Sequence, residues 1–515
     1  MHVAFLSTDK DPWALGMRSV SAVLKAAGHR TRLLFMQSDR RGYTKRTMDE
    51  ALDLIRDADV IGFSCLARGS ERTKQVLEAL RPLKKLTVWG GLHASLYATE
   101  CVQWADIVCR GEGEGMMLEL LECLEQGKDW KHIQNAAYAD NGQVIMNSLR
   151  PLVANLDELP MPDFSFENEF HLTDKGFVAV SSLKGFAEGG EILFTTSRGC
   201  PFHCTYCCNR KIQELYSGIG RYSRRMSVTK LIEHSQALRK AFPRAKHFFF
   251  VDDDFAARSV DELTQLSEEF PQKVGLPFEC FTHALWVTQP KMDLLVKAGL
   301  WRIRMGIETG SERTRREIYD RHVTNQAMTR AAEIIRTYPQ VVPYYFVIIT
   351  NPYEERADVT ATVRFMESLP LGYYLQTFNL VFFPGSALHE RAVGDGLIGG
   401  KLDSGYELDF LGGLHYEGHR WKRKNLYLNG LLFLMEGKST PRRLGSLPRF
   451  TLSALLSARM INFNERHSVV IQTLIALKLF LLACRRQGAR LLKMILPNPT
   501  AVYNLRYHFR RVFAR

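Results

Sequence analysis

Three cysteines, Cys200, Cys204 and Cys207, are spaced C-x3-C-x2-C within Thr195–Asn209. Thiolates this close in sequence hold a metal centre; three of them close on three irons of a [4Fe–4S] cluster and leave the fourth without a protein ligand. An open iron is a place for chemistry. A structural zinc site is the competing reading, since zinc completes four ligands with Cys or His and His203 and Cys208 lie in the same segment. A disulfide framework fits less well. The ten cysteines are mostly scattered, and Met1–Ser7 runs straight into an apolar strand pattern rather than a secretory signal. A reducing, cytoplasmic compartment is expected.

At 515 residues the chain is long enough for two or three domains, and 46% hydrophobic with 24% charged residues is a globular composition. The net charge of +13 is uneven. From Tyr416 to Arg515 there are 19 Lys/Arg against 3 Asp/Glu, while the rest of the chain carries 49 against 52. The basic excess belongs to the C-terminal fifth.

Residues 1–150 read as strands alternating with amphipathic helices, the pattern of a doubly wound parallel sheet. Such sheets bind ligands at the carboxyl ends of their strands. Three loops fall there: Asp11-Pro-Trp13-Ala-Leu-Gly16, Ser64-Cys-Leu66 and Gly90-Gly91. Gly111-Glu-Gly-Glu114 follows the fifth strand, where Glu112 and Glu114 also suit a helix start. Ala136–Asn147 reads as a hairpin around Asn141-Gly142, and Asn155–Phe166 has the proline and acidic punctuation of a connector. Residues 151–190 are expected to be a linker.

From Ile192 to residue 398 the alternation resumes with six strand–helix units, and the cysteines sit just past the first strand, at the end where parallel barrels place their sites. Asp252, Asp253 and Asp254 close the second strand. Arg304-Met-Gly306-Ile-Glu308-Thr-Gly310 closes the fourth. Asp254 reads equally well as a helix cap, and Trp13 as a core aromatic. Cys208 reads as a small packed side chain.

The cysteine spacing, with Tyr206 before the third Cys, resembles the signature of the radical S-adenosylmethionine (SAM) enzymes. The N-terminal loops resemble the cobalamin-binding pattern D-x-H-x-x-G, S-x-L, G-G, in that order. Together they resemble the cobalamin-dependent radical SAM enzymes over about three quarters of the chain. The resemblance implies a cobalamin-binding domain followed by a partial (β/α)6 barrel, with a [4Fe–4S] cluster, SAM and cobalamin as cofactors. It implies Cys200, Cys204 and Cys207 as cluster ligands. Gly16, Ser64, Leu66, Gly90, Gly91 and Glu112 would lie at the cobalamin, and Asp252 and Glu308 at SAM, with Gly310 allowing close approach. The family histidine that ligates cobalt is replaced by Trp13, which has no basic lone pair and would instead cover the lower corrin face.

The implied activity is methylation of an unactivated carbon of a small-molecule or lipid-like substrate, with an external electron donor. Ring closure or rearrangement with the same cofactors is the alternative, and a zinc-stabilised corrin-binding or membrane-docking module is the non-enzymatic one. Residues 399–515 read as helical and basic. Val469–Ala483 is apolar on nearly every face but shorter than a bilayer span and interrupted by Lys478. With its basic flanks it fits peripheral association with the inner face of a membrane, or a helix packed over the barrel mouth. No recognised motif supports nucleic acid.

Overall fold

The computed structural model describes residues 1–9, 11–37, 42–180, 190–383, 385–398, 425–467, 471 and 474. The chain forms two compact units. One is Met1–Thr282 with Asp293–Trp301 and Phe382–Leu402; the other is built on His283–Met292, Arg302–Val381 and the described part of 403–515.

The first unit opens with β1 (His2–Ser7), α1 (Leu15–Ala26), β2 (Arg30–Phe35), α2 (Lys45–Ile55), β3 (Val60–Ser64), α3 (Ser70–Leu80) and β4 (Leu86–Gly90). Short helices α4 (Gly91–Leu96) and α5 (Ala98–Cys101), then β5 (Ile107–Cys109) and α6 (Glu114–Glu125), complete the alternation. The strands are near-continuous apolar runs because both sheet faces are covered. Val3, Phe5, Leu33 and Val88 pack with Met17 and Leu24 of α1 and Met116 and Leu120 of α6. Their neighbours Ala4, Leu6, Leu34 and Trp89 pack on the other face with Met48 and Ile55 of α2 and Val76 and Leu80 of α3. The hairpin of β6 (Ala136–Asp140) and β7 (Gln143–Met146) turns on Asn141 and Gly142, both at positive φ, as a tight primed turn requires.

The 151–190 stretch does more than connect. β8 (Glu169–Thr173) pairs parallel to β2, and β9 (Gly176–Ala179) returns antiparallel, giving a nine-stranded sheet in the order β7-β6-β5-β4-β3-β1-β2-β8-β9. The physical reason is a buried ion pair. Arg18 of α1, fully buried, meets both carboxylate oxygens of Glu169 at 2.8 Å. The bidentate fork fixes the register of β8.

The same unit continues with β10 (Glu191–Phe194), β11 (Ser197–Arg198), α7 (Cys208–Leu215), β12 (Arg224–Arg225), α8 (Val228–Ala241), β13 (His247–Phe250), α9 (Val260–Lys273) and β14 (Phe278–Thr282). β10, β13 and β14 run parallel in register. Phe248, Phe250, Phe270 and Phe278 pack together on one side. Residues of the opposite parity bring Glu191 and Glu279 to His247.

After α10 (Gln289–Lys297) and β15 (Leu300–Glu308), the second unit adds α11 (Asn325–Arg336), β16 (Val342–Ile349), α12 (Arg356–Ser368) and β17 (Tyr374–Asn379). β15, β16 and β17 are parallel, with a bulge between Gly306 and Glu308. α13 (Ala387–Gly394) belongs to the first unit. The described C-terminal part holds the buried helix α14 (Leu426–Met435) and a short β18 (Gly437–Lys438), antiparallel to β17. That edge strand was not legible beforehand. Apart from residues 471 and 474, Val469–Ala483 lies outside the described residues. Among the described residues no helix is long and apolar enough to cross a membrane.

Candidate active site

The cysteine loop leaves the carboxyl end of β10 and is held from below by Asp252, just past β13. Asp252 Oδ1 accepts from the Thr196 N–H at 2.7 Å and the Ser197 hydroxyl at 2.5 Å, and Oδ2 from the Thr196 hydroxyl at 2.9 Å. Arg258, itself buried, donates to Thr196 Oγ1 at 2.7 Å. Asp252 is thus a buried support for the loop, whereas the family resemblance implied a contact with SAM. Gly199 then turns the chain into Cys200 at φ +84, where a Cβ would stand 2.5 Å from the Tyr222 carbonyl oxygen. Only glycine fits there.

Cys204 is buried, while Cys200, Cys207 and Cys208 are half-buried. The Cys207 N–H donates to the Cys204 carbonyl at 3.1 Å, and Cys207 is the N-cap of α7. Leu388 of α13 donates its N–H to the Thr205 carbonyl at 2.9 Å, closing the loop from the far end of the barrel sequence. A tetrahedral zinc with Zn–S near 2.3 Å requires its sulfurs about 3.8 Å apart. Among the described residues, no three of these cysteines and His203 place their ligand atoms within 4.8 Å of one another.

A cavity of about 270 Å³ penetrates the first unit between the sheet and helices α1 and α6. Gly16, Ser64, Gly90, Gly91 and Glu112 line it, against apolar walls that include Met17, Val88 and Met117. A Cβ at Gly16 would meet nothing within 4 Å. At Gly91, φ is +88 and a Cβ would stand 2.9 Å from Ser64 Oγ and 3.1 Å from the Cys65 nitrogen. Small residues keep this channel open at the strands' carboxyl ends, where a bulky cofactor could enter between apolar walls. Two further candidate residues lie outside this lining. Trp13 is buried with its ring 5.8 Å from Phe164 and 5.5 Å from Phe242, outside the cavity lining. Leu66 is 41% exposed and likewise outside it.

Glu112 lines the cavity, yet its oxygens are already engaged. Arg198 Nη1 and Arg224 Nη2 each lie 2.9 Å from Oε1, and the Val153 N–H donates to Oε2 at 2.9 Å. Burial alone would raise its pKa, but Arg224 and Arg198 hold the carboxyl below the ordinary range. Arg198 also meets Glu114 Oε1 at 2.6 Å. Arg198 and Arg224 are cross-strand partners in the β11–β12 ribbon, so two adjacent guanidinium groups are neutralised by two carboxylates. No motif pointed to Arg198, Arg224 or Glu114 as a group, because the partners lie 84 and 112 residues apart in sequence.

In the second unit, Glu308 sits at positive φ after the bulge, and Gly306 leaves room for its carboxylate, which a Cβ there would overlap. The close approach at Gly310 is to α12. A Cβ would stand 2.7 Å from Thr362 Cα, and the Gly310 N–H donates to Thr362 Oγ1 at 2.9 Å.

The B12 binding domain family matches residues 1–121 and the radical SAM superfamily matches residues 194–366. A protein described as an uncharacterized methyltransferase from Pyrococcus horikoshii is 26% identical over 66% of this chain and 71% of its own length. The anaerobic magnesium-protoporphyrin IX monomethyl ester cyclase of Rubrivivax gelatinosus is 22% identical over 64% of this chain and 57% of its own. Among solved structures, the radical SAM methyltransferase TsrM from Kitasatospora setae superposes with a TM-score of 0.62 over 76% of each chain at 14% identity, which speaks for the fold. The chain combines the B12 binding and radical SAM domains, as the cobalamin-dependent radical SAM enzymes do. Within them it is methyltransferase-like, and its cofactors are a [4Fe–4S] cluster, SAM and cobalamin.

Proposed function

We propose that this enzyme methylates an unactivated carbon of a small, largely apolar substrate. The observation that carries it is that one compact unit holds both the cysteine loop and the glycine-lined cavity, joined by Arg198. When bound, the cluster with SAM supplies hydrogen-abstracting radical chemistry and cobalamin a transferable methyl group; the protein's part is positioning and exclusion of water. Cys200, Cys204 and Cys207 hold the cluster, and Gly16, Ser64, Gly90 and Gly91 leave room for cobalamin. Glu308 is the candidate SAM contact. Each SAM cleavage needs one electron from an external donor in a reducing, cytoplasmic setting. The basic C-terminal region, by its charge and apolar run, suits peripheral contact with an anionic membrane.

Oxidative cyclisation is the second reading, favoured by the similarity to the cyclase. The test is the product mass after anaerobic reconstitution and turnover with candidate extracts. Gain of one methylene mass supports methylation, and loss of hydrogens supports cyclisation. A chain that binds iron and sulfide but never cleaves SAM would overturn both.

A further inference from the structure

We propose that the turn Gly111–Glu114 is a positioning bracket that sets the cysteine loop against the cobalamin cavity, with Glu112 as its central positioning residue. This deepens the function proposed above and rests on it. The turn is grasped on both sides of the cysteines. Ahead of them, Arg198 reaches Glu112 at 2.9 Å and Glu114 at 2.6 Å. Behind them, α7 starts at Cys208 and delivers Tyr216, whose Oη accepts the Glu112 N–H at 3.1 Å. Gly111, at φ +83, is required because a Cβ would overlap the Tyr216 hydroxyl.

The turn is equally fixed on its cavity side. The Gly111 N–H donates to Ser95 Oγ at 2.8 Å, Asn135 Nδ2 donates to the Glu112 carbonyl at 2.9 Å, and the Ser19 hydroxyl of α1 donates to Glu114 Oε1 at 2.7 Å. Ser19, Gly111, Glu112 and Glu114 all line the cavity. The same four-residue turn therefore touches the cavity wall on one side and both flanks of the cysteine loop on the other. Two guanidinium groups against two carboxylates let the bracket be partly buried with no net charge. A guanidinium presents a rigid fork that can span two carboxylates, which an ammonium cannot copy. A small displacement of a positioned group costs about a hundredfold in rate, so a bracket of this kind affects coupling before it affects binding.

The experiment uses the full chain, anaerobically loaded. Wild-type protein, Glu112→Gln, Arg198→Lys and Tyr216→Phe are compared for iron and cobalt content, melting temperature, and the distance distribution between reduced cluster and cob(II)alamin by pulsed EPR. SAM cleaved per product formed is the second readout. Glu112→Gln and Arg198→Lys are expected to retain both cofactors, to broaden the distance distribution, and to raise SAM cleaved per product by about tenfold to a hundredfold. An unchanged distribution and unchanged coupling in both variants would overturn the bracket. So would a parallel loss of melting temperature and both cofactors in all three variants, which would make the turn a fold element only. Wild-type protein that takes up no cobalamin would instead overturn the proposed function itself.

Discussion

Thr196 and Asp252 are joined twice: the Thr196 N–H donates to Oδ1 at 2.7 Å and its hydroxyl to Oδ2 at 2.9 Å. Two residues from adjacent strand ends thus set the direction in which the chain leaves β10 for the cysteines. Asp252→Asn replaces one acceptor oxygen with a donor facing other donors. A buried hydrogen bond to a charged group is worth about 1.5–3 kcal/mol. We expect a lower melting temperature and reduced iron content, with cobalamin binding retained. Equal iron content in the variant and the wild type would contradict this.

Cys200→Ala, Cys204→Ala and Cys207→Ala are each expected to abolish SAM cleavage, because each removes a thiolate from the reactive centre. Cys208→Ala should keep cluster content, since Cys208 opens α7 just outside the C-x3-C-x2-C trio. Iron and acid-labile sulfide, with 5′-deoxyadenosine release, check the set. Loss of the cluster in Cys208→Ala with retention in Cys207→Ala would reassign the ligands.

Gly91→Ala probes the cavity. A side chain at φ +88 is strained and would press on Ser64 and Cys65, so the cavity wall must shift; a loss of about 1.4 kcal/mol in fit corresponds to roughly tenfold weaker binding. Visible titration with cobalamin should show that weakening while iron content stays at the wild-type level. Unchanged affinity would place cobalamin elsewhere.

His247 lies 3.6 Å from Glu191 and 3.5 Å from Glu279. Those two carboxylates raise its pKa from 6.5 to about 9. The folded state therefore binds more protons than the unfolded state between these values, so the stabilisation is full below pH 6.5 and is lost as pH rises through about 9. Urea midpoints of the wild type and His247→Gln, measured across that window, should converge at its alkaline end. A constant difference between them would rule out the charged pair.

Much of the architecture was legible. The strands of both domains announce themselves as short apolar runs bounded by turns, and the hairpin at Asn141-Gly142 is a local rule of backbone geometry. β8 was not legible, because five residues that include Glu169 and His171 look like polar loop until Arg18 is brought beside them. At the site, the cysteines and the cavity glycines follow from spacing and size. Trp13 and Gly310 could not be placed that way. Each serves a packing contact, with Phe164 and Phe242 or with α12, set by residues distant in sequence. The Arg198 network escaped for the same reason, since charge pairing over long separations leaves no periodic trace.

The position of β8 and β9 has a consequence for the order of events at the ribosome. Synthesis delivers the helix carrying Arg18 early, but the carboxylate that neutralises it arrives about 150 residues later. At elongation rates of about 5–20 residues per second, that guanidinium waits roughly 8–30 s unmatched, and the outer edge of β2 stays open until β8 emerges. A nascent chain halted after residue 150 should therefore be more protease-sensitive and more prone to edge-to-edge association than one halted after residue 180.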